Sequence, residues 1–151
     1  MARIIMYTDG SSLGNPGPGG YGVVLISGPH RKEISAGYRL TTNNRMELLA
    51  VIVGLEALKA DGNDVTIYSD SQYVVNSVEK GWVFDWERKN FKGRKNEDLW
   101  RRFLMVYRRQ RVRFVWIKGH AENPENELCD RMANGCAHGA SLMVDEGYTP
   151  E

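Results

Sequence analysis

Asp9 and Asp70 each close an apolar, strand-like run, in Ile5-Met6-Tyr7-Thr8-Asp9-Gly10 and Ile67-Tyr68-Ser69-Asp70-Ser71. The C-terminal ends of strands in α/β sheets point functional groups at a crevice. One such Asp alone is more often a turn or helix cap. Glu47 is a third case. On a helical wheel of ~100° per residue with Arg45 at zero, Glu56 and Lys59 fall within about 40° and form a polar stripe. Glu47 falls on the opposite side, at about 200°, among Val51, Gly54 and Leu58. A carboxylate there is costly unless it is paired or bound to a cation. Asp130 flanks the apolar stripe Cys129, Met132, Ala133 and Cys136. Taken singly, it reads as an exposed helical Asp. Clustered carboxylates repel one another and stay ionised together only around a metal. All-oxygen donors select a hard cation, Mg²⁺ or Mn²⁺, over zinc. Two such ions ~3.5–4 Å apart can activate a water and stabilise the leaving oxygen of a phosphodiester.

Other residues offer different chemistry. The run from Gly10 to Gly20 is rich in Gly and Pro, but it lacks the Gly-Lys-Ser/Thr ending of a nucleotide cradle. It reads as a strand connection that approaches nucleic acid closely. Cys129 and Cys136 are seven residues apart on one expected helix. Their Cα atoms would lie about 10 Å apart, beyond the ~7 Å that a disulfide spans. Reduced core thiols and a reducing compartment are expected. Between Trp86 and Arg113 lie eleven bases, opposed only by Glu87, Glu97 and Asp98, a local excess of eight positive charges. Such an excess is an electrostatic footprint for phosphates; the alternative is a solvated helix face.

The elements that must hold these residues follow from pattern. Ile4 to Asp9, Tyr21 to Ser27 and Glu33 to Leu40 read as strands, the last two joined by Gly28-Pro29. Asn43 or Asn44 then caps a helix, with Met46 to Lys59 rich in helix formers. Val65 to Asp70 is a strand, and Ser71 to Lys80 a helix stopped at Gly81. Trp82 to Lys95 is aromatic and basic, without a clear period. Asn96 to Arg109 is a helix and Val112 to Lys118 a fifth strand. Asn123-Pro124 opens a final helix to about Ala137, and the tail from about 139 is expected to be irregular. The fold class is α/β, a mixed five-stranded sheet with helices on both faces, in a single domain over 1–151.

With 151 residues the chain suits one sizeable core. No apolar stretch approaches the ~18–20 residues of a membrane span. The N-terminus lacks a signal-peptide layout, so a cytoplasmic protein is expected. The net charge of +1 by itself argues weakly against a nucleic-acid partner; the basic cluster argues for one.

Six segments in order, over nearly the whole chain, resemble the bacterial type 1 ribonuclease H family. They are Tyr7-Thr8-Asp9-Gly10-Ser11, Gly14 to Gly22, Thr41 to Glu47, Ser69 to Val74, Trp116 to Ala121, and Pro124 to Asp130. The resemblance implies a ribonuclease H-like fold. It also implies an endonuclease that hydrolyses the RNA strand of RNA–DNA hybrids by a two-metal-ion mechanism, leaving 5′-phosphate and 3′-hydroxyl ends. Asp9, Glu47, Asp70 and Asp130 would bind two Mg²⁺ ions, with Mn²⁺ as a substitute, and His120 would assist water attack or product departure. Gly10, Ser11, Asn43, Asn44 and Gln72 would meet the minor groove and RNA 2′-hydroxyls, and Asn15 and Thr42 would hold nucleic-acid backbone.

Trp82, Trp86 and Phe91 with Arg88, Lys89 and Lys92 resemble the family's basic handle, which grips the DNA strand. The alternative places both tryptophans in the core. The stretch before Asn96 is several residues shorter than the best-known bacterial pattern, Glu87 stands where a base is expected, and Asn123 stands where a second histidine often follows the first. The expected partner is the hybrid, with no membrane, and a monomer is expected. Two rivals are a DNA transferase or resolvase of the same general fold, against which the context of Asp9, Glu47, Asp70 and Asp130 and the handle speak, and a non-catalytic hybrid-binding module, against which the presence of all four carboxylates and His120 speaks.

Overall fold

The computed structural model describes residues 2–118 and 123–150. Three antiparallel strands open the chain: β1 (Arg3–Ser12), β2 (Gly17–Ser27) and β3 (His30–Thr41). Helix α1 (Asn43–Glu56) leads to β4 (Asp64–Ser69), parallel to β1. Helices α2 (Gln72–Glu79), α3 (Trp82–Arg88) and α4 (Glu97–Tyr107) precede β5 (Arg111–Trp116), parallel to β4. Helix α5 (Pro124–Ala137) and a short β6 (Leu142–Met143) end the described chain. The sheet order is β5-β4-β1-β2-β3-β6.

The mixed sheet agrees with the expectation, with six strands rather than five. The sixth lies in the tail expected to be irregular, where Leu142 and Met143 pair with Gly37 and Tyr38 of β3. The first hairpin also differs. The expected turn from Gly10 to Gly20 is mostly strand, paired as far as Ser12 and Gly19, which leaves a connection of only 13–16. Small residues carry no apolar alternation, so the strand period is invisible there.

The sheet's two faces are covered unequally by helix. Met6, Val23 and Ile67 face α1 in a core that also takes Trp100 and Phe103 of α4. On the other face, α5 lies over β1, β2 and β3. Helix α1 is capped by Thr42, not by Asn43 or Asn44; its hydroxyl accepts from Arg45 N–H. The expected polar stripe on α1 is not solvent-facing at Arg45, which is 2% exposed. Its guanidinium donates to both oxygens of Asp98 on α4 and both of Asp145 in the tail. The wheel placed Arg45 on the polar side of α1; acids from distant segments turn that side inward. The α5 cap matches expectation: Asn123 accepts from Glu125 and Asn126 N–H.

Residues 82–88, which show no period, form α3. Val83 enters the core, Phe84 packs on Tyr107 and Trp86 on Trp100, so apolar residues point to several sides and no single stripe appears. No helix among the described residues is long and apolar enough to cross a membrane.

Candidate active site

Two close approaches bring the carboxylates together. Gly10 follows Asp9 on β1, and a Cβ there would sit 2.3 Å from the Met46 carbonyl carbon and 2.4 Å from Glu47 N. Only Gly allows the first turns of α1 to lie this close to the strand. The Gly10 N–H then donates to Asp9 Oδ1 at 2.9 Å and to Glu47 Oε1 at 2.7 Å. Gly22 is the cross-strand partner of Asp9 on β2. A Cβ at Gly22 would sit 2.5 Å from the Cys129 carbonyl oxygen, so Gly22 lets α5 rest directly on the sheet beside Asp9. Asp70 lies one residue past the end of β4, the strand next to β1.

One carboxylate oxygen from each of Asp9, Glu47 and Asp70 lies within 4.8 Å of the others. Asp9 and Glu47 are buried, at 4% and 6% exposure. Burial, then the charges of Asp70 and Asp130, pushes Asp9 up to about 8. Glu47 is held well above the usual carboxylate range by burial first, then by Asp9 and Asp70. Asp130 lies outside the group of three but near enough to raise Asp9, and Asn134 Nδ2 donates to its Oδ1 at 3.2 Å. A crowded oxygen-only anionic site of this kind fits a hard divalent cation, which would supply the missing countercharge. His120 lies outside the described residues.

The residues expected to meet nucleic acid surround this cluster with different exposures. Gly10 is buried and its N–H is spent on the carboxylates. Ser11 donates to Asn134 Oδ1 at 3.4 Å. Asn15 Oδ1 accepts from Asn43 N–H at 3.1 Å, which ties the first hairpin to the start of α1. Asn43, Asn44 and Gln72 are exposed. A groove of ≈ 720 Å³ includes Asn15, Thr42, Asn44 and Asn96 in its lining; a second of ≈ 620 Å³ includes Asn44, Tyr73, Trp82, Trp86, Lys89 and Asn96. Asn44 and Asn96 border both.

Sequence reasoning gave Tyr73 and Asn96 no role. Asn96 adopts φ 64°, and its Nδ2 and the Trp100 Nε1 both donate to the Tyr73 hydroxyl. The available signal was an Asn opening the expected helix of Asn96 to Arg109, which the structure places as the N-cap of α4.

The basic segment is more neutral than its sequence. Arg88, Arg101, Arg102, Arg108, Arg109 and Arg111 pair with Asp85, Glu97, Glu56, Glu87, Asp61 and Asp64. Four of those acids lie outside the stretch counted. Trp86 is half-buried against Trp100 with Arg94 over its ring at 4.9 Å, and Phe91 is a core residue, whereas Trp82 is 43% exposed. The handle is thus part core and part surface.

A sequence model of the RNase H family matches residues 1–138. The chain is 56% identical over 151 residues to the ribonuclease H of Syntrophus aciditrophicus, covering 97% of this chain and 87% of that protein. The chain belongs to the RNase H family. It is an endoribonuclease, and its activity is that of the family: hydrolysis of the RNA strand of RNA–DNA hybrids. Ribonuclease HI of Pasteurella multocida is 49% identical, with 99% of this chain and 98% of that protein covered. Among solved structures, LC9-RNase H1, described as a type 1 RNase H with the type 2 active-site motif, aligns with TM-score 0.84. It is 30% identical over 97% of this chain and 79% of its own. LC11-RNase H1, solved in complex with an RNA/DNA hybrid, gives TM-score 0.69 and 26% identity, covering 89% of this chain and 96% of that one.

Proposed function

We propose that Asp9, Glu47, Asp70 and Asp130 are the catalytic carboxylates of this RNase H, that they hold two Mg²⁺ ions, and that the cut leaves 5′-phosphate and 3′-hydroxyl ends. The observation that carries this reading is the meeting of Asp9, Glu47 and Asp70 within 4.8 Å. When bound, such ions supply an activated water and charge stabilisation at the leaving oxygen. The protein's own part is to hold the oxygens in place. Gly10 N–H fixes Asp9 and Glu47, while Asn134 fixes Asp130 and receives Ser11. His120 is assigned to proton movement at the attacking water or the departing product.

Asn43, Asn44 and Gln72 are exposed amides next to the cluster, and they suit reading of 2′-hydroxyls. Asn15 and Thr42 are assigned to nucleic-acid backbone. Trp82, Lys89 and Lys92 form the surface part of the handle. Lys89 and Lys92 are exposed and make no ion pair among the described residues, whereas Arg88 is drawn to Asp85. We assign the whole of 1–151 to one working domain, since the family match over 1–138 takes in all four carboxylates, and we assign it as a monomer of the cytoplasm.

Two measurements on Asp70→Asn test the assignment. Calorimetric titration should show Mg²⁺ binding weakened at least tenfold, and hybrid cleavage should fall to background in a protein with unchanged circular dichroism. A folded Asp70→Asn variant that cleaves at a near-normal rate would overturn it.

A further inference from the structure

Among the described residues, α5 packs over β1, β2 and β3 on its face of the sheet and not over β4 or β5. Parallel pairing in register builds a three-by-three lattice there: Arg3–Asp64–Arg111, Ile5–Thr66–Arg113 and Tyr7–Tyr68–Val115. The intervening residues, Ile4, Met6, Val65, Ile67 and Phe114, are buried, so the lattice points the other way. Every member is partly or fully exposed. A groove of ≈ 810 Å³ runs along it.

The lattice has a direction. Its last row lies two residues before Asp9 and Asp70, and its first row about 13 Å further off at ~3.3 Å per residue. At the near end, the Tyr7 and Tyr68 rings stack, with centroids 4.9 Å apart and planes at 28°. Beyond that row stand Arg113 in the middle and Arg3 and Arg111 at the far end; Asp64 pairs with Arg111 at 2.9 Å, and Glu79 of α2 sits at the β5 edge, where it accepts from Phe114 N–H. Arg3 and Arg113 are exposed and make no ion pair among the described residues. A part-exposed aromatic platform followed by unpaired guanidiniums, on a bare sheet, matches the chemistry of unpaired nucleic acid: bases stack on rings and phosphates meet arginines.

We propose that this face docks a single-stranded RNA segment continuing from the strand being cut. Charge complementarity and continuity with the carboxylate cluster favour RNA over an acidic protein. The inference rests on the assignment of the cutting site to Asp9 and Asp70. The segment would be held beyond the hybrid, so it affects capture and not the chemical step.

The test compares a blunt hybrid with the same hybrid carrying a single-stranded RNA overhang at either end. At low salt, the wild-type enzyme should show a KM about tenfold lower for one overhang polarity, the scale of a single base–aromatic stack. The double variant Arg3→Ser/Arg113→Ser, and separately Tyr68→Leu, should lose most of that gain. Both should cut the blunt hybrid with unchanged kcat and KM, which keeps failure of this inference distinct from failure of the active-site assignment. Equal KM values for blunt and overhang substrates, or a gain that survives both variants, would overturn it. So would a poly-glutamate peptide that abolishes the gain as effectively as free single-stranded RNA, because that would give the face to an acidic partner.

Discussion

Asp9 and Glu47 are the least comfortable residues of the metal-free protein. Each is buried, each faces other carboxylates, and Gly10 N–H is the backbone donor they share. A carboxyl whose pKa is raised by folding favours the protonated state of the native protein. Its stabilising effect is complete below its unfolded pKa and is lost as pH rises through the folded one. For Asp9 that window runs from 3.8 to about 8. Other acids act with the opposite sign: Arg45 holds Asp98 below its usual range against the effect of burial, and Arg31 does the same for Glu125. The informative quantity is therefore a difference between variants. In chelator, Asp9→Asn should be more stable than wild type by a margin that grows between pH 5 and pH 8, as thermal melts would record. Mg²⁺ at pH 8 should then stabilise wild type and leave the variant nearly unmoved. A margin that is flat or shrinks over this range would mean that the carboxylates do not strain one another.

At the scale of elements, the start of α1 is held from three sides. Gly10 lets it approach β1, Asn15 accepts from Asn43 N–H, and Arg45 is clasped by Asp98 and Asp145. Thr41 also donates to Asp145 Oδ2 at 2.7 Å, so the tail is fastened to the residue before the Thr42 cap. Breaking a buried ion pair by removing one partner costs roughly 3–5 kcal/mol because the other charge is left uncompensated. Asp98 still faces Arg45, so Asp145→Ala should lie near 3 kcal/mol, a fall in Tm of about 10 °C for a chain of this size. A fall below about 2 °C would show that the tail merely rests on the domain.

The tail's role was not legible in the sequence because nothing local marks Asp145. Its meaning depends on an arginine one hundred residues away. The carboxylates were legible for the opposite reason. Asp9 and Asp70 end apolar strands, and Glu47 sits opposite the polar stripe, so each breaks a local rule. Strand and helix order was equally plain wherever apolar periodicity was strong. It failed where glycine replaced the apolar signal, in the first hairpin, and where a short helix buried several sides at once, in α3. At Arg45, tertiary acids overrode the wheel.

For the whole molecule, the distribution of charge matters more than its total. Ion pairs neutralise much of the basic stretch; Lys89 and Lys92 are exposed and make no ion pair among the described residues, and Lys89 lines a groove with Trp82. Phosphate contacts release counterions, so affinity falls with salt with a slope of roughly 0.7–0.9 per contact. Replacing both lysines by alanine should raise KM and reduce that slope by about 1–2, with kcat at saturation retained. Adding Arg88→Ala should change little more, because Asp85 already engages that guanidinium. Unchanged KM and slope would remove this segment from substrate binding. A collapse of kcat would instead tie it to the carboxylates.

If the proposed assignment holds, one acidic cluster loaded with Mg²⁺ cuts RNA only where it pairs with DNA. The most direct measurement offers the enzyme three duplexes of one sequence, RNA–DNA with each strand labelled in turn, RNA–RNA and DNA–DNA, with Mg²⁺ and with chelator. Cleavage should be confined to the RNA strand of the hybrid, require Mg²⁺, and yield fragments whose 5′ ends carry phosphate. Cutting of the DNA strand, of either homoduplex at a comparable rate, or of the hybrid in chelator would overturn the assignment of the cluster as a metal-dependent, hybrid-specific site.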